Sequence, residues 1–150
     1  MWEKLFELTL FVRSGGVHRK PTEILKTFIR TTVTEEKRLT KIERSKLSNV
    51  FMLLRDAYSK TELSNTRLAT DQTHFYTMVT ALLDNTWDIS TDASREKLVK
   101  RLVAFGKTIG SRIVSNAEVG RYLSLSSKQT TDAEKRKDRQ KLFIDIVNNL

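Results

Sequence analysis

Apolar residues along this chain are mostly spaced three and four positions apart, and almost no segment alternates strictly between apolar and polar residues. Such spacing places apolar side chains on one face of an α-helix, whereas a half-buried strand would alternate at every second residue. One proline and five glycines in 150 residues leave few positions at which a helix must stop. The pattern therefore predicts an all-α protein, with one helical domain of about seven to eight helices over residues 1–150.

The individual helices follow from the same pattern. Residues 2–12 are apolar on nearly every side, which is typical of a buried helix, and Ser14-Gly15-Gly16 would end it. A second helix is expected from Pro21, and a third from near Thr34 to about Tyr58, as one helix or two. Residues 60–72 are polar and predicted to form a loop. The predicted starts of the later helices are Thr73, Thr91 or Asp92, Ser115 and Thr131.

The last helix has an uneven distribution of charge. It is polar as far as Lys141 and apolar from Leu142 onward. This predicts that its first half projects from the core while its second half anchors it. Replacing Arg136 and Arg139 by alanine should then leave the fold intact, because neither residue lies on the predicted apolar stripe.

The charge balance brings in possible partners. The chain carries 27 Lys and Arg against 18 Asp and Glu, a net charge of +9. Such a bias favours polyanions, of which nucleic acid is the commonest in a cell, although a basic surface can serve solubility alone. The absence of cysteine excludes disulfides and thiolate metal sites and fits a reducing cytoplasm. No apolar run approaches the roughly 20 residues that a membrane span needs.

The segment "RSGGVHRKP", residues 13–21, is a candidate anion-binding loop. Its glycines would let backbone N–H groups approach an anion, and the helix expected from Pro21 would point its positive end toward the loop. The basic side chains around it are Arg13, His18, Arg19 and Lys20. The alternative is a helix cap followed by a turn, which already accounts for the glycines.

The sequence contains few groups of residues that could perform catalysis. With only His18 and His74, no histidine-based zinc cage can form, and no glycine-rich phosphate loop is present. Glu35-Glu36-Lys37 fits a loose acidic-x-Lys pattern of magnesium-dependent nucleases, but acidic residues are favoured at a helix start in any case. We therefore predict no catalytic residue, no metal, no cofactor, and no nuclease or nucleotide hydrolysis by this chain alone.

The stretch "HFYTMVTALL", residues 74–83, allows two interpretations. An aromatic pair beside His74 could stack on a nucleic-acid base. The spacing of Phe75, Met78, Val79 and Leu82 is more simply that of a buried helix face, with His74 near the N-terminal cap. The spacing favours the core interpretation.

Three stretches together carry a family resemblance: "HFYTMVTALLDN", "FVRSGGVHRKPTEILKTFIR" and "TDAEKRKDRQKLFIDIVNNL". They resemble the C-terminal helical part of the ParB/sulfiredoxin-like proteins found in GmrSD-type, modification-dependent restriction systems. In that family an N-terminal ParB-like α/β domain carries an Asp-Gly-Gln-Gln-Arg type motif, and some members add a histidine-metal nuclease domain. The catalytic motif is absent here, so the resemblance implies a role in defence against foreign DNA without any catalytic residue in this chain.

We therefore expect a non-catalytic accessory or interaction domain, the C-terminal part of a larger protein, that packs on or regulates a ParB-like nucleotidase or nuclease domain absent from this sequence. The alternative is a free-standing basic module that binds nucleic acid. In either case the expected contacts to DNA phosphates or other anions lie in two segments. They are Arg13, His18, Arg19 and Lys20 in the loop, and Lys135, Arg136 and Arg139 in the last helix.

Overall fold

A computed structural model describes residues 8, 11, 12, 40–84, 87–112, 116–127 and 132–150. These ranges hold six α-helices, one short 3₁₀-helix and no strand, which confirms the all-α class. Of the first two expected helices, only Leu8, Phe11 and Val12 are described, and all three are helical. The elements are α1 (Lys41–Lys60), a 3₁₀-helix (Glu62–Asn65), α2 (Arg67–Thr70), α3 (Gln72–Leu83), α4 (Asp92–Gly110), α5 (Ala117–Ser127) and α6 (Ala133–Asn148).

Side-chain caps determine where these helices begin. The backbone N–H of Thr40 donates to Glu43 Oε2 at 2.7 Å, and that of Glu43 donates back to Thr40 Oγ1 at 3.2 Å, which forms a capping box for α1. Thr91 caps α4, as its sequence predicts. The prediction for Thr73 is wrong, because Asp71 caps α3 and Thr73 lies inside the helix.

The caps of the last two helices also differ from expectation. Asp132 caps α6, with its carboxylate accepting from the N–H groups of Glu134 and Lys135. At the start of α5, Asn116 Oδ1 accepts from the N–H groups of Glu118 and Val119. The predicted start residues, Ser115 and Thr131, lie outside the described residues. Carboxylate and amide oxygens cap as well as hydroxyls do, so several neighbouring positions were chemically equivalent.

Residues 60–72 do not form the predicted loop. They contain the 3₁₀-helix and α2, and each buries one leucine completely: Leu63 and Leu68 are 0% exposed. The polar residues around them bond locally, as where the Thr66 hydroxyl donates to the Leu63 carbonyl at 2.8 Å. Local hydrogen bonds let a polar segment lie against the core, since its polar groups are satisfied without water.

Helix α4 connects the parts of the core. It contacts the 3₁₀-helix, α2, α5 and α6, while α3 contacts α1, α2 and α6. Its Phe105 packs edge-on against Tyr122 of α5 and Phe143 of α6, with ring centroids 5.1 and 5.2 Å away. Within the described ranges, no helix combines the length and the apolar composition that a membrane span requires.

One side of α4 approaches the side chain of Thr66 closely at Gly106. A Cβ at this position would lie 2.6 Å from Thr66 Oγ1 and 2.7 Å from Thr66 Cβ, both well below van der Waals contact. Glycine is thus the residue that permits α4 to pack against the start of α2. This close packing positions α4, which lines the groove described below.

Candidate functional site

Three polar side chains from three helices meet inside the molecule, where α3, α5 and α6 pack together; we call this place the polar junction. It consists of His74 from α3, Tyr122 from α5 and Arg139 from α6, each of them no more than 1% exposed. Buried polar groups destabilise a fold unless they are hydrogen-bonded. Their bonding partners therefore decide what chemistry they can perform.

His74 is positioned by the cap of its own helix. The Asp71 carboxylate accepts from the N–H groups of Thr73 at 2.8 Å and His74 at 3.3 Å, which fixes the first turn of α3. The imidazole then reaches α5, where its Nδ1 lies 3.0 Å from the Tyr122 hydroxyl. The two rings are stacked, with centroids 5.4 Å apart. The core interpretation of His74 is thereby confirmed, and this side chain is not available to stack on a base.

Burial also determines the protonation states. It lowers the pKa of His74 from 6.5 to about 4, against the opposing effect of the Asp71 carboxylate. Burial raises the pKa of Tyr122 above its usual value. At neutral pH the pair is therefore an uncharged imidazole bonded to a protonated phenol. With no accessible surface, neither group can touch a substrate.

Arg139 lies in the junction with no carboxylate of the described ranges bonded to it. Its Nε donates to Thr77 Oγ1 at 2.8 Å, and its Nη1 donates to the Leu125 carbonyl at 3.3 Å. Both acceptors are neutral oxygens, so desolvation dominates and lowers the pKa of the guanidinium. The side chain links α6 to α3 and to the end of α5.

Arg136, one turn earlier in α6, is also buried, with 3% of its surface exposed. Its guanidinium carbon lies 4.7 Å from the centre of the Tyr76 ring, which is a cation–π contact. The prediction that the first half of the last helix projects from the core is therefore wrong. Arg136 and Arg139 extend the buried stripe of Phe143 toward the helix start, because they lie three and four residues apart on the same face.

This finding changes the expected anion contacts. Arg136 and Arg139 face the core rather than solvent, so their replacement by alanine would alter the packing of α6 instead of leaving the fold intact. Lys135 is partly exposed. The loop contacts Arg13, His18, Arg19 and Lys20 lie outside the described residues, as does Glu35-Glu36-Lys37. Of the seven proposed contacts, the structure describes three, and two of these, Arg136 and Arg139, are buried.

A second feature lies on the other side of α4. A groove of about 870 Å³ separates α4 from α1. Its apolar lining comes from Met52, Leu53 and Ala57 of α1 and from Val99 and Val103 of α4. The sequence does not predict this groove. The groove depends on how α1 and α4, which are distant in the sequence, are held relative to each other.

Basic and acidic side chains line the groove in equal numbers. Its lining includes four basic and four acidic residues, and most of them form ion pairs beside it. The pairs are Arg55–Asp56 at 3.0 Å, Arg95–Asp92 at 3.4 Å and Lys100–Glu96 at 2.7 Å. The edge is thus nearly neutral despite the basic composition of the chain, which makes it unlike a phosphate-binding surface.

Exposed apolar side chains concentrate on one helix. Of the four exposed large hydrophobic residues in the described ranges, Ile42, Phe51 and Met52 belong to α1, and the fourth is the terminal Leu150. Ile42 is 80% exposed and Met52 46% exposed. Met52 lines the groove, whereas Ile42 and Phe51 are not among its lining residues. An exposed apolar side chain at the edge of an apolar groove is typical of a surface that contacts another protein.

In the parts of the chain that the structure describes, no three His, Asp or Glu side chains come close enough together to hold a metal ion. No protein-family profile matches the chain, and neither a characterised protein nor a solved structure is similar enough to count as a relative. Fold and site together define the class as a helical domain with an enclosed polar junction and one open apolar groove.

Proposed function

We propose that this chain is a single, non-catalytic helical domain that binds a partner protein through α1 and the groove beside it. The observation that carries the proposal is the concentration of exposed apolar side chains on α1. Exposed apolar surface is stabilised when a partner removes it from water, at roughly 25 cal/mol per Å². The buried polar residues are consistent with this function, since His74, Tyr122 and Arg139 hold the helices together.

The occupant that fits the groove is an α-helix of the partner. The groove runs along α1 from Asn49 to Thr61 and along α4 from Asp92 to Val103. At about 1.5 Å per residue these stretches are roughly 17 Å long, or three turns of a helix. An amphipathic helix of this length would place its apolar side chains against Leu53 and Val103, with polar residues near the ion pairs at the edge.

The sequence resemblance suggests where the partner helix comes from. In ParB/sulfiredoxin-like restriction proteins a helical region follows a ParB-like catalytic domain, and the proposed partner is such a domain in a cytoplasmic defence system. This chain would then serve as the accessory part that docks on or regulates the catalytic domain. The exposed apolar residues of α1 supply the surface that such docking needs.

Nucleic-acid binding stays a prediction, and two of the residues predicted to contact nucleic acid do not face solvent. Arg136 and Arg139 are buried, and the groove edge is close to neutral. Binding to duplex DNA would have to use the loop from Arg13 to Lys20 or dispersed surface lysines. Such binding would weaken steeply with added salt and show little sequence preference.

The test is a calorimetric titration of the purified chain with a purified ParB-like domain of the family that the sequence resembles. Met52→Asp, which places a carboxylate at the groove edge, should weaken binding at least tenfold. Lys137→Asp on the exposed side of α6 is the matched control and should change affinity less than twofold. Equal loss in both variants, or binding of duplex DNA without binding of the domain, would overturn the proposal. Self-association blocked by Met52→Asp would instead identify a second copy as the occupant and overturn the ParB-like assignment.

A further inference from the structure

The polar junction has a property that goes beyond partner binding, because its one titratable imidazole lies next to a buried cation. We propose that the His74–Tyr122–Arg139 cluster is an acid-sensitive lock, in which docking of α5 and α6 on α3 requires a neutral imidazole. His74 Nδ1 is bonded to the Tyr122 hydroxyl at 3.0 Å, and Arg139 bonds Thr77 on the same helix as His74. All three side chains of the cluster are enclosed.

The charges around His74 disfavour a proton on it. Arg67 of α2 and Arg139 of α6 repel an imidazolium, and only the Asp71 carboxylate at the start of α3 attracts one. Asp71 is already engaged as the cap of α3 and lies 3.9 Å from the Arg67 guanidinium. Helix α5 contributes the neutral Tyr122 phenol, and the buried residues of α1 are all apolar.

The direction of the pH effect follows from the two protonation states. In the unfolded or undocked chain the imidazole takes up a proton near its ordinary pKa of 6.5, whereas in the folded chain burial lowers this pKa to about 4. The undocked state therefore binds more protons between these values, and docking weakens as the pH falls. The contribution of His74 is fully present above pH 6.5 and is lost as the pH approaches 4. The docking equilibrium should shift roughly 100-fold between pH 7 and pH 4.

Trp87 provides a built-in reporter of this docking. Its indole N–H donates to Asn148 Oδ1 of α6 at 2.6 Å. Its ring packs edge-on against Phe143, with the two ring centroids 6.1 Å apart. The chain has two tryptophans, so Trp2→Phe leaves Trp87 as the single tryptophan, which excitation near 295 nm selects over the tyrosines. Release of α6 would expose the indole and shift its emission to longer wavelength.

The experiment follows Trp87 emission and the urea midpoint from pH 7.5 to pH 4 in the Trp2→Phe background. The lock predicts that both change with an apparent midpoint between pH 6.5 and 4, and that His74→Asn removes most of this change. His18→Asn, at the only other histidine, is the control and should keep it. A flat profile in the parent chain, or an equal profile in His74→Asn, would refute the lock.

A second measurement covers the case in which His74→Asn does not fold. Nitrogen-15 NMR of the imidazoles in the unsubstituted chain reports the protonation of each histidine directly. The lock requires His74 to stay neutral at pH 5.5 and to gain its proton only as α6 resonances shift. Protonation of His74 near pH 6.5 without any change in α5 or α6 would overturn it.

Discussion

The polar junction and the α1–α4 groove place arginines in opposite surroundings. Arg139 in the junction is enclosed and bonds only neutral oxygens, whereas Arg55 and Arg95 at the groove edge are solvent-exposed and paired with aspartates. An exposed ion pair contributes about 0–1 kcal/mol, while a buried cation makes the fold depend on every partner it has. The same residue type is therefore structural in one region and replaceable in the other.

This difference also divides the two regions by task. The junction fixes α3, α5 and α6 with specific bonds and leaves nothing accessible for a ligand. The groove keeps apolar surface in contact with water, which destabilises the isolated chain slightly and is useful only when a partner covers it. Under the proposed function, the junction serves stability and the groove serves binding. Substitutions in the two regions should separate accordingly.

The largest effect is expected from Arg139→Ala. The change removes the donors to Thr77 and Leu125 and opens a cavity under α6, so it should lower the free energy of unfolding by about 3–5 kcal/mol. Lys137→Ala, two residues away on the exposed side, should change it by less than about 0.5 kcal/mol. Urea denaturation followed by circular dichroism measures both. Equal, small effects would mean that Arg139 is not held as described.

Gly106→Ala should have the next largest effect, because it tests the packed side of α4. Its methyl group would collide with Thr66, and overpacking of this kind destabilises by about 1–3 kcal/mol. At Gly120 of α5, an added Cβ meets nothing within 4 Å. Gly120→Ala should therefore stabilise the chain by about 0.5–1 kcal/mol through helix propensity alone. Thermal melting of the two variants should give shifts of opposite sign.

The sequence predicts the helical class and much of the core, because apolar spacing is a local property. It succeeds for Met78, Val79 and Leu82, which are buried as expected. It fails for Arg136 and Arg139, since a charged residue is normally exposed and only tertiary bonds can reverse this. The available signal was that Arg136, Arg139 and Phe143 follow one another at spacings of three and four residues. The groove depends on the distance between α1 and α4, which no local pattern contains.

Two tyrosine hydroxyls test whether bonding in the junction matters more than burial alone. Tyr122→Phe leaves His74 Nδ1 without its partner and should destabilise the fold by about 1–2 kcal/mol. The buried Tyr58 hydroxyl of α1 has no hydrogen-bond partner among the described residues. Tyr58→Phe should therefore be neutral or stabilising by up to about 1 kcal/mol, since it removes an unsatisfied polar atom. Similar losses in chemical denaturation of both variants would contradict the difference.

The smallest effect on stability is expected at the groove edge, in Met52→Asp. Met52 is 46% exposed, so a carboxylate there stays hydrated and should change the free energy of unfolding by less than about 0.5 kcal/mol. Leu54, two residues along the same helix, is 3% exposed, and Leu54→Ala should cost about 2–5 kcal/mol. Both are measured by urea denaturation at pH 7.5. These two stability measurements are needed to interpret the binding test. If Met52→Asp loses the partner while keeping full stability, the variant has lost a contact surface and not its fold. If Met52→Asp unfolds as easily as Leu54→Ala, then Met52 supports the fold, and α1 does not present the free apolar surface that partner binding requires.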